Sequence, residues 1–197
     1  MGLDSIALLM SVEDTFGIRI DDSEAKKVFT VKDFMDAIYR KIILNPIDKC
    51  LTQIVFYRIR KAFKKLNLTD LEIEPNSKIS DLLTPSALKL NWQRLEVELG
   101  LKLPELVAID FNPNLDAYVN FFGIRTIKRN LAVTKGTIRS LIDWILSLNF
   151  EKIIDIQNIS NTYEIERIVL GIVSKIIGIP ISEIQLKHTF INDLGIN

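Results

Sequence analysis

The sequence predicts an all-α fold. Apolar residues recur along most of the chain at the spacing of roughly 3.6 residues that is typical of an amphipathic helix. The chain has 197 residues, of which 48% are hydrophobic, so it is long enough to bury one or two cores. Glycine is scarce, with eight residues, and the sequence contains no glycine-rich phosphate-binding loop.

A first helix is predicted at the start of the chain, and Gly17 follows its end. Its apolar stripe consists of Leu3, Ile6, Leu9 or Met10, and Phe16. The stretch IRIDDSEAKKVF then predicts a loop with a short helical turn. Thr30 and Asp33 form a pattern typical of a capping box at the start of the helix TVKDFMDAIYRKI, and Asn45-Pro46 ends this region.

Amphipathic helices are also predicted in the middle of the chain. The first, LTQIVFYRIRKAFKKL, has an apolar face and a basic face, a second ends at Gly100, and a third is TIRSLIDWILSL. The basic face is compatible with nucleic-acid binding. No second basic run or aromatic stacking motif accompanies it, so we favour a solvated helix surface and expect no nucleic-acid partner.

The polar stretch NFEKIIDIQNISN predicts a linker over residues 149–162. A strongly apolar helix follows, and Gly178 and Pro180 end it. Because β-branched residues are only modest helix formers, burial of its stripe must drive this helix more than propensity does. The stripe comprises Ile165, Ile168, Val169, Ile172, Val173, Ile176 and Ile177.

Composition excludes several kinds of site and partner. The 25 basic and 25 acidic residues balance, so no net charge favours nucleic acid or a membrane. A single cysteine, Cys50, excludes a disulfide framework, and a single histidine, His188, excludes a multi-histidine metal site within one chain. No catalytic motif stands out, so we expect no catalytic residue, no bound metal and no enzyme activity.

The sequence predicts a cytoplasmic protein without a membrane span. The start of the chain lacks the pattern of a signal peptide. The most apolar stretch, Ile168 to Ile181, contains Lys175 and is too short to cross a bilayer.

Two segments share the same order of features. The stretch SVEDTFGIRID followed by TVKDFMDAI parallels RLEVELGLKLP followed by TIRSLIDWI. Each has an acidic helix end, then an apolar-Gly-apolar-basic-apolar run, then a threonine that opens a final helix. The second copy has about 24 additional residues, which predicts an insert from about Val107 to Gly136.

Both ends of the chain resemble the acyl carrier protein family. TYEIERIVLGIVSKIIGIPISEIQLKHTFINDLGIN is similar to the first helix and long first loop of such a protein. LDSIALLMSVEDTFGIRIDDSEAKKVFTVKDFMDAI is similar to the helices that follow. Since the first part precedes the second in that family, the resemblance implies a circular permutation here. The middle block, with EIEPNSKISDLLTP as a first loop and WQRLEVELGLKLP as a second helix, resembles a second, degenerate carrier-like domain.

The resemblance implies an acyl-carrier-like four-helix bundle that both chain ends complete. Residues 1–46 would supply carrier helices II–IV, and residues 163–197 would supply carrier helix I and the first loop. Residues 50–148 would form an inserted carrier-like helical domain with an insert at about 107–136. Closure within one chain would give a monomer, and exchange between two chains would give a domain-swapped dimer.

The resemblance also implies a serine that carries 4′-phosphopantetheine, whose thiol holds acyl groups as thioesters. By motif, Asp4-Ser5-Ile6 is close to the Asp-Ser-Leu of the family, which makes Ser5 the attachment site. By length, the family spacing counted back from Phe16 gives Gly2, where this chain has no serine. The length register is favoured, because Asn197 matches the acid or amide that precedes the serine in the family.

Ser86, in the stretch DLLTPSAL, is a further candidate for the attachment site. It resembles the family motif with the glycine and the acid replaced by Leu83 and Pro85. A Pro-Ser helix start explains this stretch better than a carrier site does.

An acyl-carrier-like chain is expected to present a phosphopantetheine-tethered acyl group, or a docking surface, to partner enzymes. Phosphopantetheinyl transferase and acyl-transferring enzymes are the implied partners. The alternative is a carrier-shaped interaction module without a prosthetic group. Residues 1–46 and 163–197 carry 9 basic and 12 acidic residues (net −3), whereas residues 50–148 carry 14 and 10 (net +4). We therefore expect a weak, salt-dependent attraction between the two regions.

Overall fold

The computed structural model describes residues 3–47, 49–112, 118–121, 124–128 and 132–196. The chain forms two compact units, a terminal unit of residues 1–49 and 146–197 and a middle unit of residues 50–145. The predicted all-α fold is confirmed for the described residues, with the exception of one short two-stranded hairpin. None of the described helices combines the length and the apolar character needed to cross a membrane.

The terminal unit contains helices from both ends of the sequence. They are α1 (Leu3–Phe16), α2 (Asp22–Ala25), α3 (Val31–Tyr39), α9 (Phe150–Ile153) and α10 (Thr162–Ile177). Helix α10 packs against both α1 and α3. Its predicted stripe is buried from Ile165 to Val173 and half-buried at Ile176 and Ile177. Residues far apart in the sequence therefore share one core.

Specific residues mark the start and the end of α10. The Asn161 side chain accepts a hydrogen bond from the Glu164 amide at 3.1 Å and caps the helix. The buried Glu164 carboxylate in turn accepts hydrogen bonds from the Ser160 amide at 2.8 Å and the Ser160 hydroxyl at 2.6 Å. Gly178 ends the helix with a φ of +70°, a backbone conformation that residues other than glycine rarely adopt.

Residues 149–162, expected to be a polar linker, are instead folded into the terminal unit. They contain α9 and a 3₁₀ turn at Ile156–Asn158. Phe150, Ile154 and Ile159 are buried, and the Ile159 carbonyl accepts a hydrogen bond from the Asn45 amide at 2.8 Å. Most polar residues of this stretch are exposed, while Asn149 and Ser160 are buried together with its spaced apolar residues, which anchor it to the core.

The middle unit is built around a pair of helices. Its elements are α4 (Leu51–Leu66), α5 (Ile79–Leu82), α6 (Leu88–Leu99), α7 (Ala108–Phe111), β1 (Tyr118–Phe121), β2 (Ile124–Lys128) and most of α8 (Ile138–Leu148). The boundary between the two units falls within α8, between residues 145 and 146. Helix α4 packs against α6, and the Arg58 guanidinium donates a hydrogen bond to the Leu99 carbonyl at 2.8 Å. Lys78 and Thr137 form an isolated antiparallel bridge, which joins the loop before α5 to the start of α8.

The predicted insert from Val107 to Gly136 includes α7 and the antiparallel β1–β2 hairpin. Its two ends meet at Asp110, which is 2% exposed. This carboxylate accepts hydrogen bonds from the Val107 amide at 2.8 Å, the Thr134 amide at 2.7 Å and the Thr134 hydroxyl at 2.8 Å. The sequence analysis predicted an insert here but no hairpin, although tyrosine, valine and phenylalanine favour strands.

Candidate functional site

The terminal unit contains an apolar cavity of about 300 Å³. This volume is at the lower end of the range of about 300–1,000 Å³ for small-molecule sites. All but one of its lining side chains are apolar, the exception being Ser5. The lining residues are Ser5, Leu8, Leu9, Ala25, Val28, Phe29, Phe34, Phe190, Ile191 and Ile196.

The cavity is formed by segments from both ends of the sequence. Helix α1 contributes Ser5, Leu8 and Leu9, which the helical period places on one face. The turn after α2 and helix α3 form a second side of the cavity, and residues 190–196 close a third. Phe34 and Phe190 meet edge to face with their ring centroids 5.9 Å apart. Neither half of the sequence therefore makes this cavity alone.

The cavity opens to solvent through an apolar rim. Leu8, Phe34 and Ile196 are buried in its walls, whereas Phe29 and Ile191 are exposed. Exposed large apolar side chains around a concave surface are typical of a binding site rather than of an ordinary monomer surface. The arrangement can therefore bind an apolar chain that enters from solvent.

Two threonine–aspartate caps hold the segments around the cavity. Thr30 is the N-cap of α3, as predicted, since its hydroxyl accepts from the Asp33 amide at 3.1 Å and its own amide donates to the Asp33 carboxylate at 2.9 Å. The Thr189 amide and hydroxyl donate to the Asp193 carboxylate at 2.8 and 2.9 Å. Thr30 and Thr189 pair as an antiparallel bridge, so the two caps are neighbours.

These hydrogen bonds lower the pKa of both carboxyl groups. The amide and then the hydroxyl of Thr189 lower the pKa of Asp193. Burial raises the pKa of Asp33, but the hydrogen bonds from Thr30 and Phe29 outweigh this effect and the pKa lies below its ordinary value. Both caps are therefore strongest when the carboxyl groups are ionised.

Ser5 lies in the first turn of α1 at the edge of the cavity. It is the third residue of the helix and is half-buried. The helix begins at Leu3, the residue after Gly2, and Gly2 itself lies outside the described residues. Asn197 also lies outside them, but Ile196 lines the same cavity as Ser5. The start of α1 and the end of the described chain are therefore close together.

Ser86 lies in the middle unit and does not contribute to the cavity. It is exposed in the 3₁₀ turn Pro85–Ala87, which directly precedes α6. Pro85 occupies the first position of this turn. This local geometry is what a Pro-Ser helix start requires.

An acidic groove lies at the C-terminal end of α1. Its charged lining residues are Glu13, Asp14, Arg19, Asp21 and Asp22. The Glu13 carboxylate accepts a hydrogen bond from the Ile20 amide at 2.7 Å, which holds the loop after the helix. Within the described ranges, no three histidine, cysteine, aspartate or glutamate side chains are placed to hold a metal ion.

Sequence reasoning missed the part of the cavity that the C-terminal loop forms. Phe190, Ile191 and Ile196 were not assigned to any site, although the stretch TFINDLGIN places large apolar residues in a loop. This apolar content in a loop was the available signal. It indicates side chains that need an apolar environment without a helix to provide it.

Part of the chain is similar in sequence to acyl carrier proteins. It is 48% identical over 40 residues to the acyl carrier protein of Thermosynechococcus vestitus, which is 20% of this chain and 49% of that protein. It is 44% identical over 39 residues to acyl carrier proteins of Nitratidesulfovibrio vulgaris, which is 20% of this chain and 51% of those proteins. The chain spans about half the length of the curated relatives it matches. No protein-family model and no solved structure matches the chain.

Proposed function

We propose that the terminal unit is a carrier domain that presents a phosphopantetheine-tethered acyl group to partner enzymes and does not itself catalyse a reaction. The observation that supports this most directly is the apolar cavity beneath the first turn of α1, with Ser5 at its edge. An acyl chain attached near Ser5 would have an apolar environment within reach. The partial similarity to acyl carrier proteins supports the same function.

The first turn of α1 is suited to hold a phosphodiester. The first amides of a helix have no partner within the helix, and the helix dipole favours negative charge at that end. Ser5 belongs to this first turn. Asp4, beside it, is exposed and can turn its carboxylate to solvent. When bound, the prosthetic group would supply the thiol that carries the acyl group as a thioester.

The negative charge of the terminal unit suits basic partner enzymes. The acidic groove at the end of α1 lies on the same helix as Ser5. A basic partner that binds this groove would approach along α1 and reach the first turn of that helix. Phosphopantetheinyl transferase and acyl-transferring enzymes are the partners we propose.

We further propose that the chain is a permuted carrier with a degenerate carrier-like domain inserted between its halves. The packing of α10 against α1 and α3 supports this order of segments. A rearranged chain in which residues 146–197 directly precede residues 3–49 should then fold into the same unit. Loss of cooperative unfolding in that chain would contradict the proposed permutation.

A carrier-shaped interaction module without a prosthetic group is the second candidate. Ser5 is half-buried, whereas a transferase needs an accessible hydroxyl. The length register places the attachment site at Gly2, which has no side chain to modify. In this version, the cavity would receive an apolar side chain of a partner protein.

Intact mass after co-expression with a phosphopantetheinyl transferase distinguishes the two candidates. The wild-type chain should gain the mass of one phosphopantetheine group, Ser5→Ala should abolish the gain, and Ser86→Ala should leave it unchanged. Modification of Gly2→Ser but not of the wild type would support the length register and the interaction module. A wild-type chain that stays unmodified with an active transferase would overturn the carrier proposal.

A further inference from the structure

Helix α4 of the middle unit presents a stripe of exposed side chains, Ile54, Tyr57, Lys61 and Lys64, which we call the α4 stripe. Their spacing of three, four and three residues keeps them within about 80° around the helix and along about 15 Å of its length. Ile54 is 39% exposed and Tyr57 is 55% exposed. The stripe therefore starts with two apolar side chains and ends with two cations.

The two lysines of the α4 stripe differ from the other cations of the helix. Arg58 donates to a backbone carbonyl of α6, and Arg60 and Lys65 pair with acidic side chains of the same unit. No ion pair joins Lys61 or Lys64 to another residue in the described part of the chain. These two charges are consequently available to a partner molecule.

Helix α1 of the terminal unit carries the complementary pattern. Ile6, Met10 and Asp14, which we call the α1 stripe, are exposed at intervals of four residues. Ile6 is 44% exposed and Met10 is 56% exposed. Beyond Asp14, the stripe continues into the acidic groove with Asp21 and Asp22. This stripe also starts with two apolar side chains, and it ends with carboxylates over about 12 Å.

We propose that the α4 stripe binds the α1 stripe of a second copy of this chain, with the two helices parallel. In this direction, Ile54 and Tyr57 face the apolar pair of α1, and the two lysines face the acidic groove. In the antiparallel direction, the charged side chains of each stripe would face apolar side chains of the other. These charges would then have no partner of opposite sign, which is costly in a desolvated contact.

The second copy is the occupant that the charges favour. The middle region carries a net charge of +4 and the terminal segments −3, so unlike surfaces of two copies attract. Parallel pairing of two α4 stripes, or of two α1 stripes, would bring like charges together, and antiparallel pairing would place charges against apolar side chains. A contact of one helix on one helix buries a small area, so the association is weak and depends on salt.

Light scattering and sedimentation equilibrium of the full chain test this contact. The mass should rise above the 22.5 kDa of one chain with concentration, and the association constant should fall about tenfold between low and high salt as exposed ion pairs are screened. Lys61→Glu with Lys64→Glu should lower the constant by about tenfold or more. The matched control, Lys89→Glu with Lys135→Glu, makes the same change in net charge elsewhere on the middle unit and should lower the constant much less, because it leaves the α4 stripe intact.

A mixture of two charge-reversed chains provides a positive test. The chain with Asp14→Lys, Asp21→Lys and Asp22→Lys should not associate with itself, nor should the chain with both α4 lysines reversed. The two chains together should associate, because the reversed stripes are complementary again. Failure of the mixture to associate would overturn the proposal. So would a wild-type dimer that neither salt nor either variant weakens, because that dimer would arise from exchange of the end segments.

Discussion

Gly171 of α10 lies close to the last turn of α8 and the first residue of α9. A Cβ atom added at this glycine would lie 2.2 Å from the Ser147 carbonyl oxygen and 2.7 Å from Cδ1 of Phe150. The Phe150 ring can turn by a small amount, but the carbonyl belongs to the backbone and cannot rotate away. Gly171→Ala must therefore separate the two segments.

The cost of this separation follows from the distances. A carbon–oxygen contact is normally about 3.3 Å or longer, so α10 must move by about 1 Å. A gap of that width loses a quarter to a half of the dispersion attraction across the contact, and forced overpacking typically costs about 1–3 kcal/mol. Alanine is favoured over glycine inside a helix by about 1 kcal/mol. The two terms partly cancel, and we expect the free energy of unfolding to fall by about 1 kcal/mol.

Denaturant titration and thermal melting of Gly171→Ala measure this effect. The melting temperature should fall by about 4–8 °C. Gly171→Val should lose more, because its side chain is larger. The control is Lys175→Ala, an exposed change on the same helix, which should stay within about 0.5 kcal/mol of the wild type. A Gly171→Ala chain as stable as the wild type, or more stable, would refute the steric reasoning.

Three further predictions concern the two units. Deletion of residues 163–197 should leave residues 1–46 unfolded, which amide exchange would show as the loss of protection in α1 and α3; equal protection without the tail would contradict the shared core. Asp193→Asn should remove stability that the wild type has above pH 3.8, which is the ordinary pKa of the group. A lowered pKa stabilises the folded state above that value, and this stabilisation is lost as the pH falls through the folded-state pKa. Acid unfolding curves should therefore converge for the two chains, and a constant offset would argue against the cap. Asp110→Ala should cost about 3 kcal/mol and speed exchange of the Thr134 amide, since buried donors lose their acceptor; an unchanged exchange rate would exclude this role.

The helices that carry a regular stripe could be predicted from the sequence. The apolar period of α10, the capping residues at Thr30 and the stop at Gly178 are local signals, and each one fixes a helix boundary without help from the rest of the chain. The fold of residues 149–162 and the hairpin of the insert could not be predicted in this way. Their short elements are stabilised by contacts with distant residues, such as Asn45 for the former and Thr134 at the base of the latter.

The candidate site was predictable only in part. A motif identified Ser5, which lies in the first turn of the predicted helix α1. The apolar stripe predicted for this helix was wrong at Ile6 and Met10, which are exposed, whereas Leu8 and Val12 are buried. The cavity depends on the side-by-side arrangement of residues 25–34 and 190–196, which are separated by most of the chain. A contact of that kind leaves no local trace in composition or spacing. For this reason, the sequence suggested an attachment point but not the space beneath it.

The packing of α10 against α1 and α3 has a consequence for biosynthesis. A ribosome that has completed α3 at Tyr39 must add roughly 120 more residues before α10 starts at Thr162, which takes about 6–25 s at about 5–20 residues per second. The middle unit is made during this interval and can fold first. The apolar faces of α1 and α3 stay uncovered in the meantime. We therefore expect the nascent chain to be prone to aggregation until α10 emerges.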